Sequence, residues 1–165
     1  MYLVSLLVLV TVVCLSQSLP LNDVLAPQAV GKNESFWRGC GSKHVKINDV
    51  EIEGCNGAPC KIRKGSNVSV IIRFTPDQDY KDLINMACAD MRVACVSFVF
   101  PNARVCNDLV NTTCPMEKKR EYTEKVVLPM KEGFPTVRVS TRWTLDDPYR
   151  EDEMEACITL DVDIS

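Results

Sequence analysis

Apolar and polar residues alternate with a period of two over most of the chain from residue 44 onward, the spacing of half-buried β-strands. His44-Val45-Lys46-Ile47 alternates, and Val50-Glu51-Ile52-Glu53 alternates in the opposite phase. One strand with a bulge at Asn48-Asp49 reconciles the two. Along residues 67–74, Val68, Val70, Ile72 and Phe74 share one face, against Ser69, Ile71 and Arg73. Residues 136–145 set Val137, Val139, Thr141, Trp143 and Leu145 against Arg138, Ser140 and Arg142. Residues 157–164 set Ile158, Leu160, Val162 and Ile164 against Thr159, Asp161 and Asp163. Residues 83–100 read as a hairpin turning near Met91-Arg92, its second arm carrying Val96, Phe98 and Phe100 on one face and stopped by Pro101. Residues 118–130 read as a further strand, ended by Pro129. Gly, Pro and Asp clusters at 54–59, 61–66 and 76–79 supply turns. No stretch sustains a helical period. The pattern predicts an all-β sandwich or barrel of seven to eight short strands.

Before this region the pattern changes. Residues 1–15 are almost wholly apolar, and no charge precedes Asp23. That run is short for a bilayer span and reads as a secretory signal peptide, with Ser16 and Ser18 as small residues and a cut after Ser18. Residues 1–18 are therefore expected to leave, 19–35 to form a loose lead-in, and 36–165 to fold. No later segment is long and apolar enough to cross a membrane, so the product is expected to be soluble and secreted.

Composition narrows the function classes. The 165 residues suit one domain with a real core. A net charge of −3 and a pI near 5.2 argue against a nucleic-acid partner, which calls for a basic surface. Of nine cysteines, Cys14 goes with the signal and eight remain: Cys40, Cys55, Cys60, Cys88, Cys95, Cys106, Cys114 and Cys157. An even set in a secreted chain reads as disulfides. A zinc site is the alternative, but the chain has one histidine and no CxxC pair. Spacing alone leaves on the order of a hundred pairings open. Asn33, Asn67 and Asn111 each begin a glycosylation sequon, with Asn111 in a polar loop between two cysteines.

Other signals read blandly. His44 reads as a surface residue and not as a catalytic base. The acidic run Asp146, Asp147, Glu151, Asp152, Glu153 and Glu155 reads as a solvated hairpin tip and not as a calcium loop. Lys118-Lys119-Arg120, flanked by Glu117 and Glu121, reads as a solvated turn, with transient contact to an anionic membrane as the alternative. No enzyme activity, metal or cofactor is indicated.

Cys40-Gly41, Gly54-Cys55, Pro59-Cys60, residues 98–101, Cys106, Cys114-Pro115, Leu128-Pro129, Phe134-Pro135, Trp143 and Cys157 fall in an order that resembles the MD-2-related lipid-recognition (ML) domain. Within it the chain is similar to the Niemann-Pick type C2 sterol-transfer branch and the group 2 mite allergens, over about residues 36–164. The resemblance implies an immunoglobulin-like sandwich of two antiparallel sheets with a lipid pocket between them. It also implies three disulfides: Cys40–Cys157, Cys55–Cys60 and Cys106–Cys114. Cys88 and Cys95 depart from the branch's six-cysteine set. A two-residue turn at Met91-Arg92 sets them opposite each other, where Cβ atoms lie ~4.5–5.5 Å apart, so a fourth bridge is expected; two buried thiols are the alternative.

The resemblance carries pocket roles to Phe98, Met130, Phe134 (at the mouth, where the branch commonly has tyrosine) and Val96. The strand period adds Val70, Ile72 and Phe74, with Met86, Val137 and Val139 beside them. Trp143 reads as core. No charged residue is expected on an inward face, which favours an apolar ligand whose polar end stays at the mouth: one sterol or one long-chain fatty acid. Burying roughly 300 Å² of ligand at ~25 cal/mol/Å² gives about 7 kcal/mol, and association costs leave about micromolar affinity. The expected function is a secreted, monomeric lipid carrier, extracellular or in the lysosomal lumen. A lipid-presenting co-receptor in signalling or innate immunity is the alternative, for which the sequence shows no exposed apolar patch.

Overall fold

The computed structural model describes residues 35–91, 93–150 and 154–165. The signal peptide with its cut after Ser18, nearly all of the lead-in, the Asn33 sequon, the turn residue Arg92, and Glu151, Asp152 and Glu153 of the acidic run lie outside the described residues.

The strands are β1 (Trp37–Ser42), β2 (Val45–Ile52), β3 (Cys60–Ile62), β4 (Asn67–Pro76), β5 (Ile84–Asp90), β6 (Cys95–Ser97), β7 (Tyr122–Pro129), β8 (Val137–Asp146) and β9 (Met154–Ile164). Among the described residues a single helical turn, α1 (Val105–Asp108), interrupts them. One sheet runs β1-β9-β8-β5-β6, with β3 also pairing β9; the other runs β2-β4-β7. β1 and β3 take successive parts of one β9 edge: β1 pairs antiparallel along residues 156–160 and β3 parallel along 162–164. The fold is an immunoglobulin-like sandwich, nearly all β.

The expected phases hold where alternation was clean. Val68, Val70, Ile72 and Phe74 on β4 are buried, as are Thr141, Trp143 and Leu145 on β8 and Ile158, Leu160, Val162 and Ile164 on β9. The β2 register slips between Ile47 and Asp49 against β4, which is the bulge that the phase change required. β1 and β3 were not expected as strands. β1 is rich in glycine and polar residues and β3 has three residues, so neither shows a hydrophobic period.

The hairpin corrects the sequence reading. Asp90 stands opposite Cys95, Ala89 opposite Val96 and Cys88 opposite Ser97, and Met91 N–H donates to Ala94 O at 3.0 Å. The turn therefore spans four residues, 91–94, and the pairing slides by two. Cys88 and Cys95 are bridged as a diagonal pair, with Cα atoms 5.4 Å apart. The other bridges are Cys40–Cys157, Cys55–Cys60 and Cys106–Cys114, so all eight described cysteines are consumed.

Candidate functional site: a cavity between the sheets

β4 runs from an open end of the sandwich to a closed one. At the closed end Phe74 stacks on Tyr122 with centroids 6.0 Å apart, and Ile72, Leu83, Leu145 and Ile158 are buried there. At the other end lies a cavity of about 300 Å³, at the small end of the ~300–1,000 Å³ typical of ligand sites. Its wall takes Val68 and Val70 from β4, Leu128 and Pro129 from β7, Thr141 and Trp143 from β8, and Leu160, Val162 and Ile164 from β9. Ile52, Ile62 and Ala87 complete the strand contribution. Residues 97–100 and 129–134 supply Ser97, Phe98, Val99, Phe100, Met130, Lys131 and Phe134.

Past the ends of β6 and β7, at Ser97 and Pro129, those two segments are fixed by individual backbone bonds. Phe98 N–H donates to Ala87 O at 2.8 Å. Met130 lies just past β7; its N–H donates to Ser66 O at 2.8 Å, and Gly65 N–H returns to Met130 O at 2.6 Å. Gly65 has φ +72°, the left-handed region that glycine enters without a Cβ clash. Phe134 N–H closes a turn onto Lys131 O at 3.1 Å. The Phe98 and Phe134 rings meet edge to face at 6.5 Å, and Phe100 meets Trp143 at 5.0 Å. Val99, 94 % exposed, belongs to the wall as well, so the cavity opens beside it. The wall is apolar apart from Ser97, Thr141, Lys131 and the Trp143 indole, whose N–H is already bonded to Asn85.

Of the residues singled out by sequence, Phe98, Met130, Phe134 and Val70 stand in this wall. Ile72 and Phe74 share the inward face with Val70 but enter the closed end, because one strand face passes both regions. Val96 is 57 % exposed and outside the wall: β6 is the edge of a six-stranded sheet that faces only three strands. Met86 is 53 % exposed, because the phase of β5 turns its neighbours Asn85 and Ala87 inward instead. Val137 and Val139 lie outside the wall. Trp143, read as core, is both buried and part of the wall.

The expectation of no charged residue type on an inward face fails. Glu124 on β7 and Glu155 on β9 have no solvent exposure. Asn85 Nδ2 donates to Glu124 Oε2 at 3.2 Å, while Oε1 has no partner. Burial pushes the Glu124 carboxyl up to about 8, the Asn85 bond pulls it down, and the Asp108 charge adds to the rise. Tyr80 donates its hydroxyl to Glu155 Oε2 at 2.7 Å; burial, and then that bond, raises the Tyr80 hydroxyl above its ordinary range. The alternation of Tyr122, Val126 and Leu128 already placed Glu124 on the inward face; that was the missed signal. Exposed apolar residues concentrate in one stretch of the chain. Met86, Met91, Val93, Val96 and Val99 are five of the eight exposed large apolar residues among those described, and all lie on or beside the β5–β6 hairpin.

Elsewhere the chemistry is quiet. His44 Nδ1 lies 3.1 Å from Asp77 Oδ1 on the surface. Asp82 sits beside Cys106 and Cys114, but both sulfurs are in a disulfide and Asp82 is held by Arg104 at 2.7 Å. Arg120 lies over the Tyr122 ring at 5.4 Å. Asn67 and Asn111 are exposed.

Comparison with known proteins agrees with this geometry. The ML-domain family pattern matches residues 34–164. The chain is 27% identical over 146 residues to the mouse protein named NPC intracellular cholesterol transporter 2, covering 88% of this chain and 87% of that one. It is 30% identical over 112 residues to the dog protein of the same name, covering 66% and 72%. The crystal structure of a Niemann-Pick type C2 protein from Japanese carpenter ant superposes with a TM-score of 0.71 at 25% identity, over 78% of this chain and 98% of that one. On these matches the chain belongs to the ML-domain family.

Proposed function

We propose that this protein is a lipid carrier that holds one sterol or one long-chain fatty acid in the cavity between its sheets. The observation that carries the reading is the wall itself: aliphatic and aromatic side chains from both sheets around about 300 Å³ of space, at the end of the sandwich where the core does not close. The relatives named as cholesterol transporters favour a sterol. A fatty acid fits the same wall with its carboxylate at the rim, where Lys131 is the one ionisable residue. Binding needs no covalent chemistry and no cofactor. The carrier acts as a monomer after removal of residues 1–18, in extracellular fluid or in the lysosomal lumen, with glycans on Asn111, Asn67 and Asn33.

One observation favours a second reading, in which the loaded protein presents its lipid to a partner or touches a membrane. The apolar cluster on the β5–β6 hairpin adjoins the opening through Val99, and Val93 and Val99 are each 94 % exposed.

The test is native mass spectrometry of the secreted protein with extraction of its lipid, followed by titration of the delipidated protein with dehydroergosterol and with cis-parinaric acid. One sterol or fatty acid per chain, displaced by the probe, supports the carrier. A chain that emerges without lipid and takes up neither probe sinks it. A protein complex that forms only with lipid supports the second reading.

A further inference from the structure

Three polar side chains cross the gap between the sheets beside the cavity. Trp143 on β8 donates its indole N–H to Asn85 Oδ1 on β5 at 2.7 Å. Asn85 Nδ2 donates across the sandwich to Glu124 Oε2 on β7 at 3.2 Å. The direction of this chain is fixed. An indole N–H only donates, so it must meet the amide oxygen, which leaves the amide nitrogen to face the carboxyl. All three residues are at most 2 % exposed. Only Trp143 also reaches the cavity wall, so its partners act through it.

We propose that Asn85 and Glu124 are positioning residues for the ligand cavity: they hold the Trp143 indole in its wall, and do so only while the Glu124 carboxyl keeps its proton. This rests on the cavity being a ligand site. The geometry explains the condition. Buried carboxylates are ordinarily met by two or three donors or by a cation. Glu124 has one neutral donor, and its Oε1 has no partner. The groups around it do not help an anion. α1 brings Asp108, an acid itself pushed up by burial, whose charge repels. β5 brings the neutral Asn85, and β4 sets Ile72 opposite Glu124 in the ladder. On β7 itself, the neighbouring Lys125 is exposed and paired with Glu53 at 2.7 Å.

An ionised Glu124 must reach water. Reaching it breaks the bond to Asn85 Nδ2, and the Asn85 amide, whose oxygen accepts from the indole, is then no longer anchored from the opposite sheet. The protonated, bridged state covers both neutral fluid and an acidic lumen, since the carboxyl titrates at about 8. The device therefore keeps the cavity wall intact on acidification and loosens it only on the alkaline side.

The experiment uses the mature chain with Trp37→Phe, which leaves Trp143 as the sole indole of the original two. Trp143 emission and dehydroergosterol affinity are followed from about pH 6 to about pH 9.5, with far-ultraviolet circular dichroism at each point to show that the fold persists. The emission is expected to shift to the red across about pH 8. The apparent Kd is expected to rise by up to about tenfold per pH unit above that. Glu124→Gln should flatten both profiles, and Glu124→Leu, a second neutral variant should the first fail to fold, should do the same. Flat profiles in the parent, or a parent-like step retained in either variant, overturn the proposal. If no probe binds at any pH, the carrier reading fails by itself. The emission step then still decides the bridge: its presence, with loss in Glu124→Gln, supports it, and its absence overturns it.

Discussion

Phe98 and Phe134 meet edge to face, 6.5 Å between centroids, from positions just outside the strands. Aromatic pairs of this kind contribute about 0.5–1.5 kcal/mol beyond their buried area, enough to close an entrance and little enough to reopen it. Phe98→Asp or Phe134→Asp places a carboxylate against an apolar wall, where an unpaired charge is costly. Each is expected to weaken dehydroergosterol or cis-parinaric acid uptake by about tenfold or more. Val96→Asp, outside the wall, is expected to leave it within about twofold. Equal effects in all three, read by fluorescence titration, would remove the pocket assignment.

The bridges are expected to divide their work. Cys40–Cys157 spans 117 residues and Cys88–Cys95 only 7. Chain entropy values the first at roughly 5 kcal/mol and the second at about half that. Replacing the first pair by serine should lower the denaturation midpoint most. Replacing the second should cost less stability, yet weaken ligand uptake, because residues 97–100 continue from the stapled hairpin into the cavity wall. Denaturant melts and probe titrations on both double variants separate the two roles.

Legibility in the sequence followed the length of each period. β4, β8 and β9 carry ten or eleven residues each, so their inward faces could be read directly. The β2 bulge was visible because its alternation changes phase around Asn48 and Asp49. The hairpin was not, since a two-residue and a four-residue turn fit the same letters, and the choice moves Val96 to an uncovered edge. The division of β4 between cavity and closed core was hidden as well. A period gives the face of Ile72, but not whether the opposing sheet closes over it. Glu124 was overlooked because a charged residue is presumed to face water, even where its neighbours' phase says otherwise.

Gly65 is expected to be needed for its backbone. Its φ of +72° excludes a comfortable L side chain, and a Cβ there would run into the Glu132 side chain. The strain alone is about 1–2 kcal/mol. Gly65→Ala should therefore lower stability by about that much. It should also weaken probe uptake, because Gly65 and Ser66 hold Met130 in the wall through two backbone bonds. Ser66→Ala, whose backbone carbonyl is unchanged, should leave uptake near the parent value. A Gly65→Ala protein with parental stability would show that this turn does not bear on the cavity.

The Glu124 carboxyl gives stability a pH dependence whose sign is fixed. Below about 4.5 both folded and unfolded chains carry its proton. Between 4.5 and about 8 the unfolded chain has released the proton while the folded chain retains it. The unfolded state then binds fewer protons, and stability falls by about 1.4 kcal/mol per pH unit. Above about 8 the folded chain ionises too and the slope vanishes. The stability present in acid and lost on the alkaline side is on the order of 5 kcal/mol. Glu124→Gln has no proton to lose, so its stability relative to the parent should rise by several kcal/mol between about pH 4.5 and about pH 8.5. Every other titrating group contributes nearly equally to both proteins, so the difference between their urea midpoints isolates this one. Midpoints that run parallel across the range would mean that Glu124 is ionised in the folded protein, with a counter-charge or water at Oε1.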